Sequence, residues 1–111
     1  TEWKWQLMIR QPAFVTDQHL REAIGQTEKK KDLPFLKKIR LERFSEGSVV
    51  QIMHIGPYAE EEPNIKKLQD FMEQNGFEFN GRHHEIYLSD PRKTSPQKLK
   101  TILRHPFLRK D

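Results

Sequence analysis

Glu85 and Tyr87 have the types and the spacing for acid–base chemistry. They lie in the stretch HHEIYLSDP, His83 to Pro91. In an extended strand, residues two apart project from the same side, so this carboxyl and this phenol stand next to each other while Ile86 and Leu88 point the other way. A carboxylate can take a proton from water, and a phenol can donate one to an oxygen that gains charge. From the strand alone two readings stay open. Glu85 is either a solvated acid on the wet face of an antiparallel sheet, or an acid held in a hollow, where burial would raise its pKa toward that of a useful base. The greasy side, Ile86 and Leu88, is the one expected on the core.

The second stretch with chemical content is HIGPY, His54 to Tyr58. A strand ends there, Gly56-Pro57 turns the chain, and Tyr58 precedes a helix. It reads either as a plain connection or as a pocket rim to which His54 and Tyr58 contribute. Trp3 and Trp5 share one side of an alternating N-terminal stretch and form either core or a flat aromatic wall for a ligand. Other chemistries find little support. The adjacent His83 and His84 point to opposite faces, and His19, His54 and His105 have no helical partner at ligand spacing, so no metal site is expected. There is no nucleophile elbow, and the five glycines are not clustered into a phosphate-binding loop. No cofactor is expected.

The composition bounds the partners. The chain has 111 residues, 34% hydrophobic and 32% charged, with a net charge of +4 and no cysteine. That is enough for a single domain over residues 1–111 with a thin core, or one that shares apolar surface with another domain or subunit. The basic excess is small and its runs lack interleaved aromatics, so specific nucleic-acid binding is not expected. The absence of thiols fits a reducing cytoplasm. No apolar run reaches membrane-spanning length and no signal peptide opens the chain. Thr1 is not an initiator methionine, which reads as processing, trimming or a piece of a longer chain.

The elements that must position Glu85 and Tyr87 follow from periodicity. A strand is expected over Trp3 to Gln11, and a helix from about Asp17 to Lys31 with Thr16 as its cap. Ile39 to Phe44 and Val49 to Ile55 are expected to form an antiparallel hairpin across Gly47. Asn64 to Asn75 is the clearest helix, with Pro63 near its first turn, Ile65, Leu68, Phe71 and Met72 as its buried stripe, and Gly76 as its stop. A short strand over Phe77 to Phe79, the central strand and a helical turn after Ser95 come next. Lys100 to His105 is expected as an edge strand ended by Pro106. The sum is an α+β fold, an antiparallel sheet with its helices on one face.

A strand ending in HIGPY, then an amphipathic helix, then HHEIYLSDP, then a C-terminal strand resembles the second half of the GyrI-like small-molecule-binding domain. That fold is shared by the DNA gyrase inhibitor protein and the ligand-sensing domains of BmrR-type multidrug regulators. The motifs WKWQLMIRQP, KKKDLP, VQIMHIGPY, HHEIYLSDPRKT and LKTILRHP resemble its stand-alone branch and cover most of the chain. The resemblance implies one strand–helix–strand–strand unit of a duplicated fold, with the ligand in the cleft between the halves. The other half is then either missing N-terminal material or a second chain. The resemblance also implies that the branch hydrolyses cyclopropane-bearing DNA alkylators of the yatakemycin and duocarmycin type, giving drug protection. Glu85 and Tyr87 are then the catalytic pair, with Trp3, Trp5, His54 and Tyr58 against a small aromatic ligand. The alternative is a binding or sensing module for flat aromatic or cationic drugs, without turnover. A third possibility is a protein-interaction domain like the gyrase inhibitor.

Overall fold

The computed structural model describes residues 4–110. They fall into two compact units that divide after Phe44.

The first unit is built around one helix, α1 (Asp17–Glu28). Its start follows from capping chemistry. The backbone N–H of Thr16 donates to His19 Nδ1 at 3.0 Å, and the His19 N–H donates to Thr16 Oγ1 at 3.4 Å. This is the reciprocal capping box, with histidine in the place usually held by Glu or Gln. The helix stops short of Lys31, because the Thr27 carbonyl accepts from both Lys30 and Lys31 and winds the chain into a turn. Leu36, in the 3-10 turn Leu36–Lys38, is the buried residue of this region. Residues 4–11 form no strand, and neither do residues 39–44. Both expectations rested on alternation, which assigns side chains to faces but supplies no partner for the backbone N–H and C=O groups. Among the described residues these segments find no strand to pair with.

The second unit holds the sheet. Its elements are β1 (Val49–Ile55), a 3-10 turn at Tyr58–Glu60, α2 (Glu62–Gln74), β2 (Phe77–Phe79), β3 (His84–Tyr87), a 3-10 turn at Pro96–Lys98 and β4 (Lys100–Arg109). All pairing is antiparallel and runs through β4. β1 lies along one side of β4, while β3 and β2 follow each other along the other side, opposite Thr101–Arg104 and Phe107–Arg109. The last strand is therefore the centre of the sheet rather than its edge, and it continues past Pro106. The proline is tolerated because β3 pairing ends at Arg104 and β2 pairing begins at Phe107, so it falls at the seam between them. Its carbonyl still accepts from the Asn80 N–H at 2.9 Å. The partner of β1 is likewise β4 and not the expected hairpin strand.

Register decides which way each side chain looks. Leu103 stands opposite Ile52 on one neighbour and Glu85 on the other, and Thr101 opposite His54 and Tyr87. Directly opposed residues share a face. Leu103 is fully buried against Leu68 and Met72 of α2, with Val50, Ile52, Ile65, Phe77 and Phe107 around them. Phe77 stacks on Phe107 at 4.0 Å. α2 stops where it should, because Gly76 at φ 69° takes the left-handed conformation that closes a helix. Glu85 and Tyr87 thus lie on the face that α2 packs against. The face expected to be greasy and covered, with Ile86 and Leu88, is the other one. It leaves Met53 43%, Ile55 59% and Leu88 53% exposed.

The α2–sheet core is small, so single contacts weigh heavily. Leu103→Ala is expected to cost about 2–5 kcal/mol, seen as a lowered midpoint in urea denaturation. A change below about 0.5 kcal/mol would contradict the central place of Leu103.

Candidate functional site

Glu85 and Tyr87 sit where the helical cover of the sheet ends. β1 delivers the chain to Gly56, whose φ of 132° suits glycine alone and whose N–H donates to the Leu99 carbonyl at 2.8 Å. Pro57 and the 3-10 turn at Tyr58–Glu60 follow and lead into α2. This turn is anchored from below by His54, which is 3% exposed. The Pro57 carbonyl can only accept, so His54 Nε2 carries the proton and donates to it at 2.9 Å. That leaves Nδ1 as the acceptor for the Asn64 side-chain amide at 2.8 Å. Both ring nitrogens are engaged within the protein, and the histidine fixes the turn to the first turn of α2.

The turn carries Tyr58 to Tyr87. Their rings meet edge to face with centroids 5.6 Å apart, an arrangement that aromatic quadrupoles favour. The turn also carries a residue that the sequence reading passed over. Glu61 joins the 3-10 turn to α2 with helical backbone angles of its own (φ −71°, ψ −24°), so its side chain is not placed to cap the free N–H groups. Only its backbone carbonyl serves the helix, accepting from Asn64 and Ile65 at 3.0 Å each. The side chain is turned inward and the residue is 8% exposed. Its carboxyl lies within hydrogen-bonding reach of Glu85. Burial, then the Glu85 contact and the Glu85 charge, push Glu61 up to about 7.

The surroundings keep the neighbouring groups neutral. The Tyr87 phenol is raised above its ordinary value, first by burial and then by the charges of Glu85 and Glu61, so it remains a proton donor at physiological pH. His83 lies with Nε2 3.5 Å from Glu85 Oε2, and burial outweighs that carboxylate and lowers the imidazole. Thr101 forms the floor between His54 and Tyr87, and its Oγ1 is buried without a hydrogen-bonding partner among the described residues. Next to Glu85 on this face lies His105, stacked on Phe79 at 3.9 Å. His84 points to the opposite face, as alternation requires, and pairs there with Glu46, which also receives Arg104 at 3.0 Å.

Of the residues singled out from the sequence, Glu85, Tyr87, His54 and Tyr58 come together here. Trp5 belongs to the first unit and is 69% exposed, and Trp3 lies outside the described residues. Glu61 was legible only as one of three glutamates ahead of Pro63, a run that reads as a solvated helix start. The turn SDPRKT closes β3 onto β4 as its composition requires. Asp90 accepts from the Arg92 N–H at 2.9 Å, and Ser89 Oγ accepts from the Lys100 N–H at 3.1 Å. Among the described residues no group of three His, Asp or Glu side chains is disposed to hold a metal ion, and no helix is long and apolar enough to cross a membrane.

This α+β unit, with an acid pair and two tyrosines at the open end of a helix-covered sheet, is that of a small-molecule-binding domain. Residues 5–107 match the GyrI-like small molecule binding domain, and the chain belongs to that family. Among solved structures it resembles an uncharacterized conserved protein from Listeria innocua, 46% identical, with a TM-score of 0.81 over 89% of this chain and 50% of that one. Two hydrolases from the same organism are 40% and 42% identical, with TM-scores of 0.76 and 0.75, again over 89% of this chain. The chain spans about half the length of these relatives. No curated protein gives a significant match.

The elevated Glu61 makes stability depend on pH. The unfolded chain releases this proton near 4.5 and the folded chain near 7. The folded state therefore binds more protons between those values, and stability falls as pH rises through that window. The loss from pH 5 to pH 8 is expected to be on the order of 1–2 kcal/mol, at about 1.4 kcal/mol per pKa unit with allowance for coupling to Glu85. Urea denaturation at the two pH values checks this. Glu61→Gln should flatten the difference, and an unchanged slope in that variant would place the pH dependence elsewhere.

Proposed function

We propose that this chain forms the ligand-bearing half of a GyrI-like hydrolase that opens cyclopropane-bearing DNA-alkylating drugs of the yatakemycin and duocarmycin type by adding water. The observation that carries this reading is a carboxyl pair at a partly desolvated site with a neutral phenol beside it. The hydrolases among the solved relatives support the reaction class. In such drugs a strained cyclopropane is fused to a dienone. Glu85 orients a water and takes its proton while the oxygen forms a bond to the cyclopropane CH2 carbon. The ring C–C bond breaks, its electrons pass through the dienone to the carbonyl oxygen, and a phenolate results. The Tyr87 O–H stabilises that oxygen as charge develops there. Solvent finally protonates the phenolate and accepts the proton from Glu85. Tyr58, edge-on to Tyr87, provides a flat apolar surface for the aromatic body of the drug.

The cleft is completed, in this reading, by the other half of the fold, on the same polypeptide or on a second chain. Two features of the second unit support that. Among the described residues β1 pairs on one side only, and the sheet face opposite α2 exposes Met53, Ile55 and Leu88. An unprotected edge strand and an apolar face are both surfaces that proteins ordinarily cover.

The test is the fate of the ligand. Incubated with a cyclopropane alkylator, the protein should convert it to a product heavier by one water, followed by mass spectrometry. Glu85→Gln keeps the side chain's size and removes the base, and should slow turnover at least about 100-fold, while Tyr87→Phe should slow it less. Binding of an unaltered ligand by the parent protein would instead identify a sequestering or sensing module in which the acid pair serves as counter-ion. A Glu85→Gln variant turning over at the parent rate would remove Glu85 from the mechanism.

A further inference from the structure

The packing around Glu61 leaves an electrostatic problem that a proton resolves. Glu61 Oε2 is buried, and no N–H or O–H of the described residues reaches it. The neighbour that its carboxyl does have is the carboxyl of Glu85. Two ionised carboxylates have no hydrogen to share and repel each other, the more so where water is displaced. Around them stand His83 and Tyr87 on β3, His54 on β1, His105 on β4, and Tyr58 on the turn before α2. His54 has both ring nitrogens committed to Pro57 and Asn64. His83 is lowered by burial, and Tyr87 holds its own proton. No lysine or arginine side chain is paired with either acid among the described residues.

The helix end points the same way. An acid at an N-cap gains from the N–H groups and the positive end of the dipole when it is ionised and turned toward them. Glu61, at φ −71° and ψ −24°, is not in a capping conformation, and its side chain lies against Glu85 instead. Asn64, in the first turn of α2, is likewise turned inward, to His54. A position that buries one acid against another departs from local rules, as functional sites commonly do.

We infer that Glu61 and Glu85 operate as a single unit holding one proton between them, in which the Glu61 O–H donates to Glu85 and so fixes which Glu85 oxygen is free to face the ligand. Glu61 is in this sense a positioning residue. It keeps the pair singly charged, so that Glu85 remains an acceptor while its neighbour does not repel it. The elevated Glu61 pKa agrees with this arrangement. Above neutrality Glu61 loses its proton and the hydrogen bond with it, and the Glu85 carboxylate is no longer held. The consequence for turnover rests on the hydrolytic reading given above, whereas the proton itself does not.

Two measurements on the parent protein and on Glu61→Gln, Glu61→Leu and Glu61→Asp decide the matter. The first is independent of turnover. Infrared difference spectra of the ligand-free protein at pH 6 should show the C=O stretch of a protonated carboxylic acid. That band should disappear as pH rises past about 7, and it should be missing from Glu61→Gln. Its absence from the parent at pH 6 overturns the shared proton, whatever the activity. The second is the pH profile of cyclopropane hydrolysis. Parent turnover should fall about tenfold per pH unit above the Glu61 transition. Glu61→Gln, which keeps a donor that cannot ionise, should stay within about tenfold of the parent at pH 6 and show no such fall. Glu61→Leu, without a donor, should be slow at every pH. Glu61→Asp should recover part of the turnover and retain a pH-dependent fall. Parallel profiles in the parent and Glu61→Gln overturn the positioning role. If no protein turns over the drug, the hydrolytic reading fails, and the infrared band alone then decides for or against the shared proton.

Discussion

Placing a buried acid, Glu61, against a half-buried one, Glu85, is the constraint on which this end of the molecule depends. Glu61 is brought there by the turn between β1 and α2, and Glu85 by the pairing of β3 with β4. Neither element would hold its acid without the rest. The turn is tied down by the bonds of His54 to Pro57 and Asn64, and His54 stands opposite Thr101 of the central strand. The helix is pressed onto the sheet by Leu68 and Met72 against Leu103, the residue that stands opposite Glu85. Core packing and acid geometry are consequences of one register. A strand slipped by one residue would bring both acid and phenol to the other face.

The same constraint explains the character of the surrounding groups. Partial burial disfavours charge, so the Tyr87 phenol is raised and the His83 imidazole lowered while Glu61 competes with Glu85 for ionisation. The site is also open on the side away from α2's cover. The solved relatives are about twice as long, and the face with Met53, Ile55 and Leu88 is bare here.

Local chemistry carried much of the reading from residues to elements. Thr16 caps α1, Pro63 and Gly76 bracket α2, and of its expected stripe Leu68 and Met72 are buried and Ile65 packs beside them, while Phe71 is exposed. Gly56-Pro57 and Ser89-Asp90-Pro91 turn the chain where they stand. Each depends on forces acting within a few residues. Two expected strands, 3–11 and 39–44, failed among the described residues for the opposite reason. A strand is a relation between segments, and their alternation named no partner. β4 was misjudged as an edge because Pro106 reads as a terminator, whereas the seam between β3 and β2 accommodates it.

By itself the sequence determined that Glu85 and Tyr87 share a side, that His54 and Tyr58 flank a turn into a helix, and that the motifs around them are those of the GyrI-like family. Those facts follow from strand periodicity, turn chemistry and residue identity, which act at short range. Only the tertiary structure decided that the acid and the phenol look toward α2 rather than away from it. It alone brought Glu61 out of a run of ordinary-looking surface glutamates to meet Glu85. Direction and desolvation depend on what packs opposite a residue, and no residue carries that information in its own neighbourhood of the chain.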